Sequence, residues 1–173
     1  YKSISQLAEI FDVPDRGQQL NEALKARLAK SVATARNKGL KQASALVWFS
    51  SAEMASDPYV AGHKGVPEFM LQTLGLHNVV QSDEEWPAVG WETLAKANPT
   101  FLVIARMDRR RYPADNYEQK LAFLRSDPVT RNMDAVKHNR IIILDAMALQ
   151  ASVRTFDGLD QLASAIDSYD LPK

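Results

Sequence analysis

The sequence contains no cysteine, few glycines and few histidines, and so lacks the residues from which many catalytic and metal centres are built. The absence of cysteine among 173 residues excludes disulfides, thiolate metal sites and a cysteine nucleophile. The seven glycines form no P-loop, no G-x-G-x-x-G turn and no G-x-S-x-G nucleophile elbow. His63, His77 and His138 lie on separate segments without the spacing of a zinc site. We therefore expect a protein that is not an enzyme and has no metal site and no resident cofactor.

Net charge and long apolar runs are also lacking. The 21 basic residues balance 21 acidic ones, which leaves no overall basic character for binding nucleic acid or an anionic membrane surface. No apolar run approaches the roughly 20 residues that cross a bilayer, so we expect no membrane span. The length and the 46% hydrophobic content are typical of one globular domain with a hydrophobic core.

Short apolar runs alternate with helical segments along the chain. Runs without polar alternation are typical of strands buried on both faces, and here they read "ASALVWFS", "TFLVIAR" and "RIIILDA". A long amphipathic helix is predicted over 15–39, because apolar side chains recur every four residues from Leu20 to Val32 and Gly39 can end it. The pattern predicts an α/β fold: a layered domain with a short, mostly parallel sheet flanked by helices, plus this long helix near the N-terminus.

Four arginines follow the second apolar run, in the stretch "ARMDRRRYP". They are Arg106, Arg109, Arg110 and Arg111. Guanidinium groups suit carboxylate, catecholate or phosphate ligands, because their bidentate geometry favours arginine over lysine. The alternative is that the last three form surface ion pairs, each worth only about 0 to 1 kcal/mol, with Asp108, Asp115 and Glu118. The loop by itself leaves a ligand site and a solvated surface both open.

The topology predicts where these arginines lie. Loops that leave the carboxyl ends of parallel strands meet at one edge of the sheet, and ligands bind there. The loop after the first apolar run carries Tyr59 and His63, and the loop after the third carries Arg154. We therefore expect Tyr59, His63 and Arg154 to join the four arginines at one ligand edge.

Trp86 and Glu92 have ordinary structural explanations when they are taken alone. Trp86 sits beside Pro87 after an acidic turn and has no obvious core partner in the sequence, although tryptophan often packs at the rim of a domain. Glu92 begins a helix, where a carboxylate is favourable for the helix dipole in any protein. Neither residue indicates a function by itself.

The order of three longer segments resembles a known family. The segments "EEWPAVGWETLAKANPTFLVIA", "KLAFLRSDPVTRNMDAVKHNRIIILDA" and "SVRTFDGLDQLASAI" closely resemble the C-terminal lobe of the periplasmic substrate-binding proteins of ABC importers for iron-siderophores, haem and cobalamin. The most specific parts are the W-P-x-V-x-x-E helix start, the helix-Asn-Pro-strand unit and the strand entry after Asp127 and Pro128. Each part is weak singly, whereas their order and spacing together are fairly specific. The resemblance covers nearly the whole chain.

The resemblance implies two α/β lobes joined by one long rigid helix. Residues 1–14 would end the connection from a preceding lobe, residues 15–39 would form the inter-lobe backbone helix, and residues 40–173 would form the C-terminal α/β ligand-binding lobe. The N-terminal lobe is expected to lie outside this chain.

The resemblance also implies roles for individual residues. In the family, an aromatic at the W-P position lines the ligand cleft and a glutamate at the start of the next helix docks on permease arginines; these positions are Trp86 and Glu92 here. Siderophore-binding members commonly line the cleft with Arg, Tyr and Trp. The candidates by loop position are Tyr59, Arg106, Arg109, Arg110, Arg111 and Arg154. Haem binders usually supply Tyr or His as an iron ligand, so Tyr59 and His63 keep haem open.

We therefore expect the solute-binding component of an ABC importer. It would bind a ferric siderophore or a similar iron complex between two lobes and deliver it to the permease in the inner membrane. It would be periplasmic or lipid-anchored, and monomeric. A haem- or cobalamin-binding protein of the same class is the first alternative. An α/β enzyme that acts on an anionic small molecule through the arginine loop is the alternative from another class.

Overall fold

The structure is a computed structural model that describes residues 1–36, 40, 42–169 and 171. In that part of the chain, helices alternate with short strands, which confirms the predicted α/β class. The helices are α1 Lys2–Ile10, α2 Pro14–Arg36, α3 Val66–Leu74, α4 Trp91–Ala97, α5 Tyr117–Ser126, α6 Asp134–Lys137 and α7 Arg154–Ser168. The strands are β1 Ser44–Ser50, β2 Tyr59–Val60, β3 His77–Asn78, β4 Phe101–Arg106 and β5 Ile141–Asp145. Short 3-10 turns lie at Pro113–Asp115, Thr130–Asn132 and Ala146–Leu149.

The sheet is mostly parallel, as the sequence predicts. β1, β4 and β5 lie side by side in that parallel order, with Leu46 opposite Leu102 and Val103 opposite Ile142. β3 pairs in parallel with the start of β1, whereas β2 pairs antiparallel with the end of β1. The carboxyl ends of β1, β4 and β5 therefore meet at one edge, and the loops that follow them begin there.

Helices cover both faces of this sheet. Since successive strand residues point to opposite faces, Val47 and Val103 belong to a core shared with α3 and α7, whereas Trp48 and Ile104 belong to a second core shared with α4 and α5. The central strand β4 is 0% exposed from Phe101 to Ala105. Burial on both faces explains why the apolar runs show no polar alternation.

The long helix α2 buries a different stripe from the one that its leucines predict. Leu24 is buried but Leu20 is 44% exposed, and the other buried positions are Gly17, Asn21, Ser31 and Ala35. Small residues let α1 approach closely, because a Cβ on Gly17 would stand 2.4 Å from the Cβ of Ala8. The predicted end of this helix at Gly39 lies outside the described residues.

An ion-pair network fastens α2 to α7. Arg27 Nη2 lies 2.7 Å from Asp157 Oδ1 and 2.5 Å from Asp160 Oδ2. The Ser31 hydroxyl donates to Asp160 Oδ1 at 2.5 Å. The hydrogen bonds to Asp157 and Asp160 raise the pKa of Arg27. Polar contacts as well as packing therefore hold the long helix against the rest of the fold.

The segment after α5 is broken, although Asp127 and Pro128 predict one helix. Asp127 Oδ1 does cap the turn, since it accepts hydrogen bonds from the amides of Val129 and Thr130, each at 3.0 Å. The backbone is then extended at Met133, with φ −64° and ψ 138°. The next amide, that of Asp134, donates to Asn98 Oδ1 at 2.8 Å. This tertiary contact restarts the chain as the short helix α6.

Candidate ligand-binding site

Three loops meet at the carboxyl edge of the sheet. β4 ends at Arg106 and β5 at Asp145, and these two residues are register partners in neighbouring strands. The loop after β1 returns to the same edge at Tyr59, which pairs with Ser50 at the end of β1. The observed register thus brings Tyr59 and the start of the arginine stretch to one edge of the sheet.

An aromatic pair, Phe49 and Trp86, lies beside this edge. The two ring centroids are 4.8 Å apart and the ring planes meet at 40°. Tyr59, which is 42% exposed, forms an antiparallel bridge with Ala88, two residues after Trp86. Phe49 is therefore the packing partner of Trp86 that the sequence does not reveal.

The arginine loop, residues 106–112, presents exposed guanidinium groups. The side chains of Arg106, Arg109, Arg110 and Arg111 are all exposed. Within the described residues, the ion pairs all involve Arg27. The surface ion pairs between these arginines and nearby carboxylates, which the sequence left open, therefore do not form among the described residues. The Arg111 guanidinium lies 5.5 Å from the centroid of the Tyr112 ring. Exposed cations in one short loop raise the local positive potential in a chain of zero net charge.

Asp115 shapes the end of the arginine loop from inside the protein. It is 4% exposed, and its Oδ2 accepts hydrogen bonds from the amides of Arg111 at 2.7 Å and Tyr112 at 2.8 Å. Its Oδ1 accepts one from the Ser50 hydroxyl at 2.5 Å. Burial by itself would raise the pKa of Asp115, but these hydrogen bonds and the charge of Lys120 outweigh it and lower the pKa. The carboxylate thus binds main chain rather than a guanidinium group.

Lys120 is a buried cation beneath the same edge. It is 0% exposed, and its Nζ donates to the carbonyl of Ala105 at 3.0 Å and to that of Phe49. The ammonium also lies 5.1 Å from the centroid of the Trp48 ring. Burial lowers the pKa of Lys120 to about 7, and the nearby charge of Asp115 partly opposes this. One signal in the sequence was available, because Lys120 lies four residues before the apolar Leu124 and so shares its helix face.

The third loop leads from the end of β5 to Arg154. Arg154 is the exposed first residue of α7, and α7 packs back along β5. The preceding turn is fixed by Asp145, whose Oδ1 accepts a hydrogen bond from the amide of Met147 at 2.8 Å. Met147 is 47% exposed, so this loop contributes an apolar side chain as well as a cation.

His63 lies away from this edge, contrary to the sequence prediction. Because β2 is antiparallel to β1, the chain that leaves Tyr59 runs towards the start of β1, and the amide of Ala61 donates to Val47 O at 2.9 Å. The amide of His63 then donates to Ser82 O at 2.7 Å. The fold therefore separates His63 from the arginine loop.

Glu92 lies outside the three loops, in the first turn of α4. Its side chain is exposed, and the residue that caps this helix, Gly90, lies against Asp57, whose Oδ1 would be 3.4 Å from a Cβ added there. Glu92, Asp57 and Asp127 line one open groove of about 390 Å³. Within the described residues no lysine or arginine lines this groove, so Glu92 sits on a negatively charged surface distinct from the arginine loop.

The described part of the chain shows neither a candidate metal centre nor a candidate membrane span. Residues 1–36 and 42–169 hold no group of three or more His, Cys, Asp or Glu side chains placed to bind a metal ion. None of the helices in the same residues combines the length and the apolar character required to cross a membrane.

Comparison with known proteins gives a consistent family. A family model described as periplasmic binding protein matches residues 1–148. No curated protein sequence shows a significant match. Among solved structures, a periplasmic binding protein from Veillonella parvula is 25% identical with a TM-score of 0.71, and the match covers 95% of this chain and 55% of that one.

Two further solved structures share the fold at lower identity. The first, titled as an ABC-type Fe3+-hydroxamate transport system from Saccharomonospora viridis, is 21% identical with a TM-score of 0.76, covering 95% of this chain and 54% of that one. The second, a periplasmic heme binding protein from Pseudomonas aeruginosa, is 20% identical with a TM-score of 0.77, covering 99% of this chain and 60% of that one. The chain thus spans a little over half the length of these relatives.

Proposed function

Since this chain belongs to the family of periplasmic binding proteins, we propose that it forms the ligand-binding C-terminal lobe of an ABC importer's solute-binding component. The proposed ligand is an anionic iron complex, and a ferric siderophore is the leading candidate. One observation carries the proposal. Exposed arginines that have no ion-pair partner within the described residues stand at the same sheet edge as the aromatic pair and Tyr59.

The chemistry of this edge suits a ligand that is both charged and broad. A ferric catecholate carries negative charge on oxygen atoms and presents flat aromatic faces. Guanidinium groups bind such oxygens through charge-assisted hydrogen bonds, and the face of Trp86 or Phe49 packs against a ring. An exposed arginine loop without such a ligand would stabilise the fold little, since its guanidinium groups have no ion pair in the described residues.

The proposed mechanism is capture rather than chemistry. The ligand would lie between this edge and a second lobe. This chain spans 55% and 54% of the length of two solved relatives, which leaves length for a second lobe in proteins of that size. The helix α2 would then be the stiff connection between lobes, which limits the hinge motion that accompanies binding. Such a protein works outside the cytoplasm as a monomer, either free in the periplasm or anchored by lipid.

Delivery would require docking on the permease, and Glu92 is the proposed contact in this lobe. The negatively charged groove around Glu92 complements arginines on a partner. Because Glu92 lies outside the arginine loop, ligand binding and docking would use separate residues. A change at one surface should therefore leave the other working.

Haem is a second candidate ligand, favoured by Tyr59. Tyr59 is 42% exposed at the carboxyl edge, and its phenol oxygen would be the iron ligand. The solved relatives include a protein named as heme binding, which supports the candidate without deciding it. Haem also carries carboxylates that arginines would bind.

Purification of the full-length protein that carries this chain tests the proposal. The protein would be isolated from iron-replete cells, and its visible absorption spectrum and iron content would be measured. A ferric siderophore predicts bound iron with a broad charge-transfer band, whereas haem predicts a Soret band. Colourless, iron-free protein that also binds no added ferric chelate or haem would reject both, and saturable turnover of a small molecule would favour an enzyme.

A further inference from the structure

A buried cation and a buried carboxylate lie directly beneath the arginine loop. Lys120 is 0% exposed and Asp115 is 4% exposed. Burying a charged side chain costs free energy unless nearby polar groups bind it. Apolar residues of similar size at the same positions would often be at least as stabilising. Here most of the compensation comes from main-chain groups at the edge of the candidate site. Both charged residues therefore lie where they can hold the main chain of the candidate site in place.

Lys120 ties together the carboxyl ends of two strands. Its Nζ donates to the carbonyl of Phe49, the second-last residue of β1, and to that of Ala105, the second-last residue of β4. Phe49 is one ring of the aromatic pair, and Arg106 directly follows Ala105. One ammonium group therefore holds the backbone on both the aromatic side and the arginine side of the candidate site.

Asp115 holds the other end of the same loop. Its carboxylate binds the amides of Arg111 and Tyr112 and the hydroxyl of Ser50, so it links the end of the arginine loop to the end of β1. Asp115 and Lys120 also act on each other, since each charge favours the ionised form of the other. Lys120 thus holds Ala105, the residue directly before the loop, and Asp115 holds the last two residues of the loop.

We propose that Lys120 and Asp115 are positioning residues that fix the arginine loop against the aromatic pair and thereby set the affinity of the site for anionic ferric chelates. The proposal rests on the proposed function for its ligand. Neither residue touches the ligand, because both are buried below the loop. Both act through the main chain of residues that do present side chains at the edge.

Protonation of Lys120 makes this arrangement sensitive to pH. Burial brings its pKa to about 7, and of the described charged groups Asp115 is the one that opposes the shift. The groups that β1 and β4 present to the ammonium are the Phe49 and Ala105 carbonyls and the Trp48 ring, none of which titrates. An anion above the loop favours the protonated ammonium. Affinity for an anionic chelate should therefore fall as the pH rises from 6 to 9.

Two measurements on the full-length protein test the proposal. The first is the affinity for a ferric tricatecholate siderophore, followed by tryptophan fluorescence from pH 6 to 9. The second is hydrogen–deuterium exchange of the 107–116 segment without ligand. Lys120→Met should weaken binding about tenfold at pH 6, a common size for coupling between sites, and should flatten the pH profile. Asp115→Ala should speed exchange at the Arg111 and Tyr112 amides, and Asp115→Asn, which keeps an oxygen for them, should largely restore protection.

Controls separate this proposal from the proposed function and from simple unfolding. Lys137→Met makes the same change at an exposed lysine and should alter neither readout. Wild-type protein that binds no ferric chelate would reject the proposed function, while the exchange data would still decide whether Asp115 orders the loop. If Lys120→Met does not fold, Ser50→Ala, which removes one hydrogen bond from Asp115, takes its place. Folded variants with wild-type exchange, affinity and pH profile would overturn the proposal.

Discussion

At the residue scale, Arg109 and Arg110 carry positive charges that form no ion pair in the described part of the chain. Changing both to alanine should weaken binding of an anionic ferric tricatecholate by roughly 10- to 100-fold, since one charge-assisted hydrogen bond contributes about 1.5 to 3 kcal/mol before solvent screening. Binding of cobalamin should weaken much less, because we expect cobalamin to depend more on contacts with aromatic side chains than on the arginines. Fluorescence titration of the full-length protein measures both affinities.

A matched pair of arginines elsewhere provides the control for that prediction. Arg16 and Arg131 are also exposed and lie outside the three loops. Changing both to alanine removes the same charge and should alter the chelate affinity by no more than about twofold, the usual range for surface substitutions. Equal losses in the two double variants would mean that net charge, rather than the arginine loop, attracts the ligand.

Lys120 also makes a prediction about stability, independent of any ligand. The ordinary pKa of a lysine is 10.5, and that of Lys120 in the folded chain is about 7, so between these values the unfolded chain holds a proton that the folded chain has released. Stability therefore rises with pH in this window and is flat, for this residue, well below 7. From pH 7 to pH 9 wild type should gain about 2 kcal/mol of unfolding free energy relative to Lys120→Met. Parallel curves from urea denaturation would contradict this.

Part of the candidate site could be predicted because topology alone assigns residues to an edge. Tyr59, Arg106 and Arg154 follow or face strand ends, and parallel strands share one carboxyl edge. The direction of β2 was not predictable, because a strand of two residues has no periodicity, and that direction is what carries His63 away. The assigned roles of the individual residues remain predictions.

The contacts of the buried network could not be predicted from the sequence, although the spacing of Lys120 and Leu124 places both on one helix face. A lysine within a polar helix usually lies in water, and the burial of Lys120 depends on two carbonyls that come together only when β1 and β4 pair. Pairing of Asp115 with an arginine was one of the two alternatives that the sequence left open, and the carboxylate instead binds amides of its own loop. Both cases depend on tertiary contacts between residues far apart in sequence.

At the element scale, Asp160 is the main acceptor of the polar contacts between α2 and α7. Asp160 accepts hydrogen bonds from both Arg27 and Ser31, and Ser31 is buried. Asp160→Ala should lower the unfolding free energy by about 1 to 2 kcal/mol, after allowance for the partial exposure of the pair. Asp157, 55% exposed, provides the matched variant, and Asp157→Ala should cost at most about 0.5 kcal/mol. Chemical denaturation at pH 7 compares them, and equal losses would contradict the assignment.

The elements themselves were largely predictable, since their signals are local. The three buried strands lie where the sequence placed them, because continuous apolar runs are strong local signals. The buried face of α2 was not predicted, because it depends on the close approach of α1. The break at Met133 was not predicted either, because it depends on the tertiary contact with Asn98.

At the scale of the whole molecule, binding and delivery should be separable. Glu92→Ala removes a carboxylate from the groove that we propose as the docking surface and leaves the arginine loop intact. Ligand affinity should stay within about twofold of wild type, while uptake of iron complex by cells falls several-fold. Thr93→Ala, in the same groove but without charge, is the control. Normal uptake by the Glu92 variant would reject the docking role.

We propose that this chain binds an anionic iron complex through the arginine loop. The most direct measurement is a tryptophan-fluorescence titration of the full-length protein with a ferric tricatecholate, an uncharged ferric trihydroxamate, haem and cobalamin under identical conditions. We expect saturable binding that is tightest for the anionic tricatecholate and weakens as salt is added, because charge is part of the attraction. Binding only of cobalamin or of the uncharged chelate, or no binding of any of the four ligands, would contradict it.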